Sequence, residues 1–453
     1  MASKKTAKTT VTAAEGSSRT SSSVDDMLLA ALERGDDSLQ TGRFLATFKE
    51  GAAESGAQAF AAAQGMRVAD ARDFTNQAVV MENVAGADAV VFPEIGVALI
   101  GADAARERGM SAVAEIAVDS AIASIDPEYF VFADGVADEF FRSLDAGTSN
   151  PSEYLRGFLR AAETIAKDLG GAPAPAPATQ GEEQTLVLGA TWGLLACNVP
   201  ASSRSGSGIK VAVLDTGLDL GHPDFAGRTI VSATFVGQPV QDLHGHGTHC
   251  IGTSCGPQAP GGSTPRYGIA YRAAIHAGKV LSNSGGSVGG SVLAGMNWAI
   301  ANRCEVISMS LGSQAPVQPY YTAAGQSALN NGLLMIAAAG NAAGPTGAPA
   351  NSPTIMSVAA VDNSLTPAVF SDTGKVEISG PGVNIYSSVP RPTRYGFKSG
   401  TSMAAPHVAG CAALLAETSS SLRAMALWNK LRATAKSLPF PPVRVGSGLV
   451  QAP

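Results

Sequence analysis

The chain has 453 residues, of which 45% are hydrophobic and 15% charged, and its formal net charge is −6. This length allows two or three domains with a sizeable core, and the mild negative charge argues against nucleic acid as the main partner. No apolar run of about 18 residues is present, so a membrane-spanning segment is not expected.

Residues 1–24 begin with several lysines and continue with threonine, serine and glycine. They lack the apolar core of a secretory signal, and their composition predicts a disordered tail. The expected location is therefore the cytoplasm, or the outside of the cell by a non-classical export route.

Residues 25–133 mix short strands and helices, which predicts a compact α+β unit. Residues 134–171 are more helical and amphipathic. The alternating alanines and prolines that follow predict a semi-rigid spacer at 172–184. The strands predicted in the first unit are Arg43–Phe48, Gln77–Met81, Ala89–Phe92 and Val97–Ile100, with a helix through Gln64 after the first.

Residues 185–453 alternate apolar strands with helices, which predicts a larger α/β domain with a doubly wound, mainly parallel sheet covered by helices on both faces. In such sheets functional sites lie at the carboxyl ends of the strands. Asp215, Ser310 and Asn341 each follow such an end. The predicted strands are Ile209–Leu214, Ala274–Leu281, Glu305–Met309, Leu333–Ala339 and Ile355–Val361.

Ser402 lies where a glycine-containing loop enters a predicted helix. The first N–H groups of a helix lack intrahelical partners and favour negative charge, so this serine is a candidate nucleophile. A capping role explains an isolated serine equally well, and a turn or capping role explains Asp215 equally well.

Three of the six histidines, His244, His246 and His249, fall within six residues of one another. One of them can act as the general base for Ser402, with Asp215 fixing its tautomer. The alternative is a zinc site, because imidazole is a common zinc ligand.

Three segments together resemble the signature blocks of subtilisin-like serine proteases. They are VAVLDTGLDLGHPD at 211–224, HGTHC at 246–250 and GTSMAAPHVAG at 400–410. Their order, with aspartate first and serine last, is also that of the family. The cysteine of HGTHC and Trp192 favour the proteinase K-like branch. The resemblance extends from about residue 185 to residue 452.

The resemblance implies that Ser402 is the nucleophile, His246 the general base and acid, and Asp215 the residue that orients the imidazole. It implies that Asn341 donates to the oxyanion. It also implies that the substrate backbone lies between two strand edges and beside the first specificity pocket. The corresponding substrate-binding residues are Ser284, Gly285, Gly286, Ser310, Leu311, Gly312, Ala339 and Gly340.

The first pocket is lined by small apolar atoms, with no acidic residue evident nearby. We therefore expect cleavage with broad specificity and an apolar or aromatic preference at P1. The resemblance requires no cofactor for the chemistry. Members of this family commonly bind structural calcium at surface loops, and Glu377 with the carbonyls near Pro353 and Ile355 resembles one such site. The alternative for Glu377 is a solvated surface acid.

Residues 25–133 resemble, more loosely, a pro-region of this family. A zymogen is thus expected in which the N-terminal unit assists folding and then inhibits the enzyme. Polypeptide substrates and this unit are the expected partners of a monomer, without nucleic acid or membrane. The alternatives are a permanent partner-binding domain for the N-terminal unit, an inactive peptide-binding relative, and a zinc hydrolase built on His244, His246 and His249.

The five cysteines form an odd set without a CxxC motif, so at least one must lack an intramolecular partner. Buried thiols are expected, with at most one or two disulfides.

Overall fold

The computed structural model describes residues 39–84, 86–107, 121–133 and 189–453, together with Val24, Met27 and Leu28. The predicted tail, apart from Val24, and the segments 134–171 and 172–184 lie outside the described residues. None of the helices in the described ranges combines the length and the apolar character needed to cross a bilayer.

The N-terminal unit is an α+β structure with a five-stranded sheet in the order β5-β1-β4-β3-β2. All pairs are antiparallel except β2 with β3. Its elements are β1 (Gln40–Phe48), α1 (Ala53–Gln64), β2 (Val68–Asp70), β3 (Ala89–Phe92), β4 (Val97–Ile100), α2 (Ala102–Glu107) and β5 (Ile122–Ala133).

The prediction of a strand at Gln77–Met81 is wrong. This segment forms short 3₁₀ turns at Thr75–Gln77 and Met81–Val84 instead. Asn76 and Gln77 have φ values of 54° and 58°, in the left-handed region, where a strand cannot continue. Val79, one of the apolar residues that suggest a strand, is nevertheless fully buried.

The second unit begins at residue 189 of the described chain and contains the remaining helices and strands. In chain order these are α3 (Trp192–Ala196), β6 (Lys210–Asp215), β7 (Ile230–Thr234), α4 (His246–Cys255), β8 (Ala274–Lys279), β9 (Gly286–Val288), α5 (Gly289–Ala301), β10 (Val306–Met309), β11 (Leu311–Gly312), α6 (Pro319–Asn330), β12 (Leu334–Ala338), β13 (Met356–Val361), β14 (Ile378–Pro381), β15 (Ile385–Ser388), β16 (Tyr395–Lys398), α7 (Thr401–Thr418), α8 (Ala424–Thr434) and α9 (Pro442–Val445).

A seven-stranded sheet in the order β14-β13-β12-β10-β6-β8-β7 forms the centre of this unit, and all of its strand pairs are parallel. Its central strands are mostly apolar and buried, apart from the partly buried Lys210 at the start of β6, as expected for a parallel sheet covered on both faces. The α/β prediction is therefore confirmed. Because β6, β10 and β12 are neighbours, the residues after their carboxyl ends meet at one edge.

The two units are joined by β5. Its first half pairs with β1, and its second half lies between β9 and β11 of the larger unit, antiparallel to both. Phe132 is opposite Gly286 on one side and Gly312 on the other. One continuous sheet thus runs from the N-terminal unit into the larger unit.

A buried carboxylate within β5 reinforces this junction. Glu128 is completely buried and accepts hydrogen bonds from Arg43 Nε (2.6 Å) and Nη2 (2.7 Å). It also accepts one from the backbone N–H of Gly290 at the start of α5 (2.7 Å). A Cβ atom on Gly290 would lie 2.9 Å from Leu99 and 3.0 Å from the Glu128 carboxylate, so the close approach requires glycine.

Candidate active site

Ser402 is the second residue of α7 and is buried. Pro406 lies inside this helix and has no N–H for the carbonyl four residues earlier, which is that of Ser402. This carbonyl instead accepts from the Ser310 hydroxyl (2.8 Å) and the Cys250 thiol (3.5 Å). The serine hydroxyl in turn donates to the Ser310 carbonyl (3.2 Å). The backbone of the candidate nucleophile is thereby fixed to the end of β10.

Asp215 and His246 are brought together by β6 and α4. Asp215 is the last residue of β6, His246 is the first residue of α4, and both are buried. The Nδ1 atom of His246 lies 2.8 Å from Asp215 Oδ1. The same oxygen accepts the backbone N–H of Thr216 at 2.7 Å. The ring is therefore held with Nδ1 toward the carboxylate.

The electrostatics of the pair follow from its burial. Burial works to raise the pKa of Asp215, but the charge of His246 and its hydrogen bond hold that pKa below the ordinary value. Burial likewise works to lower the pKa of His246, but the Asp215 charge outweighs it, and the pKa is raised well above the ordinary imidazole value. The Asp215 carboxylate can thus stabilise a positive charge on the His246 ring.

His246 and Ser402 approach each other at Cys250. The Cys250 sulfur lies 3.9 Å from His246 Nδ1 and 3.5 Å from the Ser402 carbonyl. The other ring nitrogen of His246, Nε2, is buried and makes no hydrogen bond within the described residues. It is the nitrogen that can accept the Ser402 proton, and such catalytic contacts often shorten only when substrate binds.

Asn341 follows β12 and is oriented by Thr401. Its side-chain oxygen accepts from the Thr401 backbone N–H (2.9 Å) and the Thr401 hydroxyl (3.1 Å). The amide nitrogen consequently points the other way, toward Gly400, where a Cβ atom would lie 3.1 Å from it. Asn341 Nδ2 and the Ser402 N–H can therefore donate to the same oxyanion.

The substrate-binding residues predicted on two strand edges contact β5 of the N-terminal unit. The Gly285 carbonyl accepts from the Ala133 N–H at 2.8 Å. Gly286 pairs with Phe132, and Leu311 pairs with Ala133. Gly312 pairs with Phe132 on the other side, while the Ser284 hydroxyl shares a hydrogen bond with Ser282.

The expectation that no acid lies near the first pocket is wrong. Asp372 is buried against Gly340, where a Cβ atom would come within 2.1 Å of its carboxylate. Its oxygens accept from Gln314 Nε2 (2.8 Å) and from the Gly344 N–H (2.8 Å). Asp372 lies 32 positions after Gly340 in the chain, so no local pattern indicates this contact. Ala339, next to Gly340, is buried as the small apolar lining requires.

The three clustered histidines do not converge on one point. His249 Nε2 bonds to the Ile385 carbonyl (2.9 Å), and the His244 ring lies 6.1 Å from that of His246. Burial lowers the pKa of His244 to about 4 and that of His249 to about 3. In the described ranges, the group whose ligand atoms lie close enough for a metal is Asp215, His246 and Cys250.

All five cysteines fall in the described ranges and are buried free thiols. Burial raises the pKa of Cys250, the thiol nearest the candidate base, although the adjacent imidazole opposes this. This confirms the prediction of buried thiols.

Residues 206–448, more than half of the chain, match the Subtilase family. The chain belongs to the subtilase family. It is similar to the Alkaline protease of Alkalihalobacillus alcalophilus, with 41% identity over 278 residues, covering 60% of this chain and 71% of the relative. It is 41% identical over 268 residues to Subtilisin Savinase of Lederbergia lenta, covering 58% of this chain and 96% of the relative. For Subtilisin E of Bacillus subtilis strain 168 the identity is 39% over 236 residues, covering 49% and 60%.

Membership makes this subtilase a serine-type endopeptidase that acts on polypeptides. The zinc-hydrolase alternative is thereby ruled out. The relatives named above are subtilisins and an alkaline protease, so the proteinase K-like branch stays a prediction.

The candidate calcium ligand Glu377 forms an ion pair with Lys375. Its carboxylate accepts from Lys375 Nζ (2.8 Å) and from the Ser357 N–H (2.7 Å). Lys375 Nζ also donates to the carbonyl of Ile355 and lies 5.6 Å from the centre of the Trp428 ring. The ammonium group contacts the same carboxylate and carbonyl that were predicted to hold calcium, so these residues do not fit a calcium ion.

Replacing Asp215 by asparagine should lower kcat by about 10⁴-fold, because the imidazole loses the partner that sets its tautomer and stabilises its charge. Without that charge the pKa of His246 falls. The acidic limb of the kcat/KM profile, which lies where His246 loses its proton, should then move to lower pH. Steady-state kinetics across pH measure both effects, and an unchanged acidic limb would contradict the assignment of Asp215.

Replacing Lys375 by methionine should make this subtilase more sensitive to calcium, because the Glu377 carboxylate then lacks its cation. We expect a lower melting temperature in chelator and a larger rise on adding calcium than in the wild type. Differential scanning fluorimetry measures both, and the double variant K375M/E377Q is the control that removes the carboxylate. Equal calcium responses in wild type and K375M would contradict the role given to Lys375.

Proposed function

We propose that this subtilase hydrolyses peptide bonds through an acyl-enzyme formed on Ser402, with His246 as general base and acid and Asp215 as its partner. The observation that carries the proposal is the 2.8 Å contact between His246 and Asp215, with Cys250 bridging His246 to the Ser402 backbone. The presence of Asp215, His246, Ser402 and Asn341 in the chain argues against the inactive-relative alternative.

In the proposed reaction the Ser402 hydroxyl oxygen attacks the scissile carbonyl carbon while His246 Nε2 takes the hydroxyl proton. The carbonyl oxygen becomes an oxyanion that accepts hydrogen bonds from Asn341 Nδ2 and the Ser402 N–H. When the tetrahedral intermediate collapses, His246 gives its proton to the leaving amine, and the C–N bond breaks. Water then takes the place of the amine: His246 accepts a proton from it as it attacks the ester carbon. The C–O bond to Ser402 breaks, the carboxylic acid product leaves, and His246 returns the proton to the Ser402 oxygen.

The N-terminal unit acts in this proposal as an intramolecular inhibitor. The second half of β5 forms main-chain hydrogen bonds with both strand edges that would hold a substrate. The side chains of Val131 and Ala133 enter the apolar cluster of the larger unit, with Leu281 and Leu311. A substrate strand cannot bind these edges while β5 does.

For the first pocket we propose an apolar or aromatic P1 preference. Ala338 and Ala339 supply a small apolar wall. The Asp372 carboxylate behind Gly340 is engaged by Gln314 and by the Gly344 N–H. A preference for lysine or arginine at P1 would contradict this proposal. It would indicate that the Asp372 carboxylate attracts the P1 side chain.

Replacing Ser402 by alanine tests the reaction itself. The wild-type chain should hydrolyse casein and react with a fluorophosphonate at Ser402, whereas S402A should do neither. Chelator should leave the labelling of the wild type intact, because the chemistry needs only protein groups. Hydrolysis that persists in S402A after purification to homogeneity would overturn the assignment of the nucleophile.

Replacing Glu128 by alanine tests the inhibitory role. Arg43 belongs to the same unit as Glu128, so the contact between the units that E128A removes is the hydrogen bond from the Gly290 N–H. A hydrogen bond to a charged group contributes about 1.5–3 kcal/mol, and about 1.4 kcal/mol is a factor of ten. The N-terminal unit should therefore leave the cleft more often, and the fluorophosphonate should label full-length E128A at least about tenfold faster than the wild type.

The control for E128A is the exposed Glu54 of α1, since E54A removes a glutamate from the same unit at a position outside β5. It should label at the wild-type rate. Gel analysis of the labelled protein restricts the comparison to intact chains. Equal rates for E128A and wild type would contradict the inhibitory role of β5.

A further inference from the structure

Asp242 lies four residues before His246 and is completely buried, yet it takes no part in the reaction described above. Its Oδ1 accepts from the Thr216 hydroxyl (2.9 Å) and from the N–H groups of His244 (3.0 Å) and Gly245 (2.8 Å). Its Oδ2 accepts from the Thr248 N–H (2.8 Å) and hydroxyl (2.7 Å). Five donors thus converge on one carboxylate.

The direction of these bonds is fixed by the two threonine hydroxyls. The Thr216 hydroxyl accepts the N–H of Gly247 (2.8 Å), and the Thr248 hydroxyl accepts the N–H of Asp219 (3.0 Å). Each hydroxyl must therefore turn its proton toward Asp242. Since each oxygen of Asp242 also faces a backbone N–H, both oxygens act as hydrogen-bond acceptors.

The donors lie on both sides of the Asp215–His246 contact. Thr216 directly follows Asp215 and gives its own N–H to that carboxylate (2.7 Å). Gly245 and Thr248 flank His246 at the start of α4. Lys279 also donates to the Thr216 carbonyl, so Thr216 is held from both its hydroxyl and its carbonyl.

We propose that Asp242 is a positioning residue of the catalytic pair, which sets the distance and orientation between Asp215 and His246 through Thr216 and the start of α4. This inference rests on the proposed triad and adds a carboxylate that binds the backbone and side chains next to Asp215 and His246. Its effect should appear in kcat, because a misplacement of about 1 Å in a catalytic group costs up to about 10²-fold in rate.

Asparagine at position 242 keeps the shape of the side chain but cannot accept at both oxygens. If its amide nitrogen takes the place of Oδ1, it opposes two backbone N–H groups. If it takes the place of Oδ2, it opposes the Thr248 N–H. We expect D242N to lower kcat by about 10-fold or more with little change in KM. The acidic limb of the pH profile should move down, because His246 then contacts Asp215 less closely.

The matched control is D224N, which makes the same change at another hydrogen-bonded carboxylate. Asp224 accepts from the hydroxyls of Tyr267 (2.6 Å) and Tyr395 (3.0 Å) and contacts none of the catalytic residues. D224N should keep the wild-type kcat and acidic limb even where it lowers the melting temperature. If D242N also changes only the melting temperature, Asp242 is merely structural and the proposal is wrong.

Thr216 provides a second test that does not depend on the folding of D242N. T216V removes the hydroxyl that connects Asp242 to Gly247 and should lower kcat in the same way, whereas T216S should restore it. The loss in T216V/D242N should be similar to that in D242N alone, because D242N already disturbs the connection through Thr216 that T216V removes. Wild-type kinetics in T216V, or simple additivity in the double variant, would overturn the proposal.

The two levels of inference can be told apart in the same experiment. Failure of the wild type to hydrolyse peptides, or hydrolysis by S402A, counts against the proposed function. Hydrolysis by the wild type that is lost in S402A but unchanged in D242N and T216V counts against Asp242 alone.

Discussion

A negative charge held out of water at Asp215 is the constraint on which the active site depends. A buried carboxylate is costly unless it is paired and hydrogen-bonded, and here the partners are the His246 ring and the Thr216 N–H. The same pairing raises the pKa of His246. Burial keeps the neighbouring His244 and His249 neutral at pH 7. The positive charge that develops during the reaction is thus confined to the ring in contact with Asp215.

The position of Ser402 depends on a residue that usually disrupts helices. A proline inside a helix removes a hydrogen bond and is normally destabilising. In α7, Pro406 leaves the Ser402 carbonyl free to accept from Ser310 and Cys250. Ser310 follows β10 and Cys250 belongs to α4. The nucleophile is therefore tied both to the sheet edge and to the helix that carries His246.

The sequence predicts well those elements whose signal is local. Fully apolar runs predict the buried central strands. The linear motifs predict Asp215, His246 and Ser402 as the catalytic residues, and the structure brings Asp215 and His246 into contact. The strand Ile230–Thr234 escaped prediction because it is an edge strand with partly exposed side chains, and so did the hairpin strand Tyr395–Lys398. The segment Gln77–Met81 has strand-like composition, but left-handed residues at its start prevent an extended chain.

The residues that sequence reasoning missed act through contacts between distant parts of the chain. No fixed sequence spacing connects the partners in these contacts, so no pattern could detect them. The contacts are Asp372 with Gly340, Lys375 with Ile355, and Glu128 with Arg43. Asp242 lies just before the clustered histidines in the sequence. Its contacts become evident only in the fold, where Thr216, directly after β6, donates to it. A carboxylate whose partners are backbone N–H groups leaves no partner to recognise in the sequence.

In the proposed zymogen, latency and substrate binding use the same backbone groups. Strand β5 pairs with Gly286 and Leu311, the edges that would hold a substrate strand. A change at these edges must weaken both interactions together, because main-chain pairing does not distinguish one strand from another. Glu128 is different, because its contact with the N–H of Gly290 lies at the start of α5. Affinity for the N-terminal unit can therefore be adjusted there without altering the edges that bind substrate.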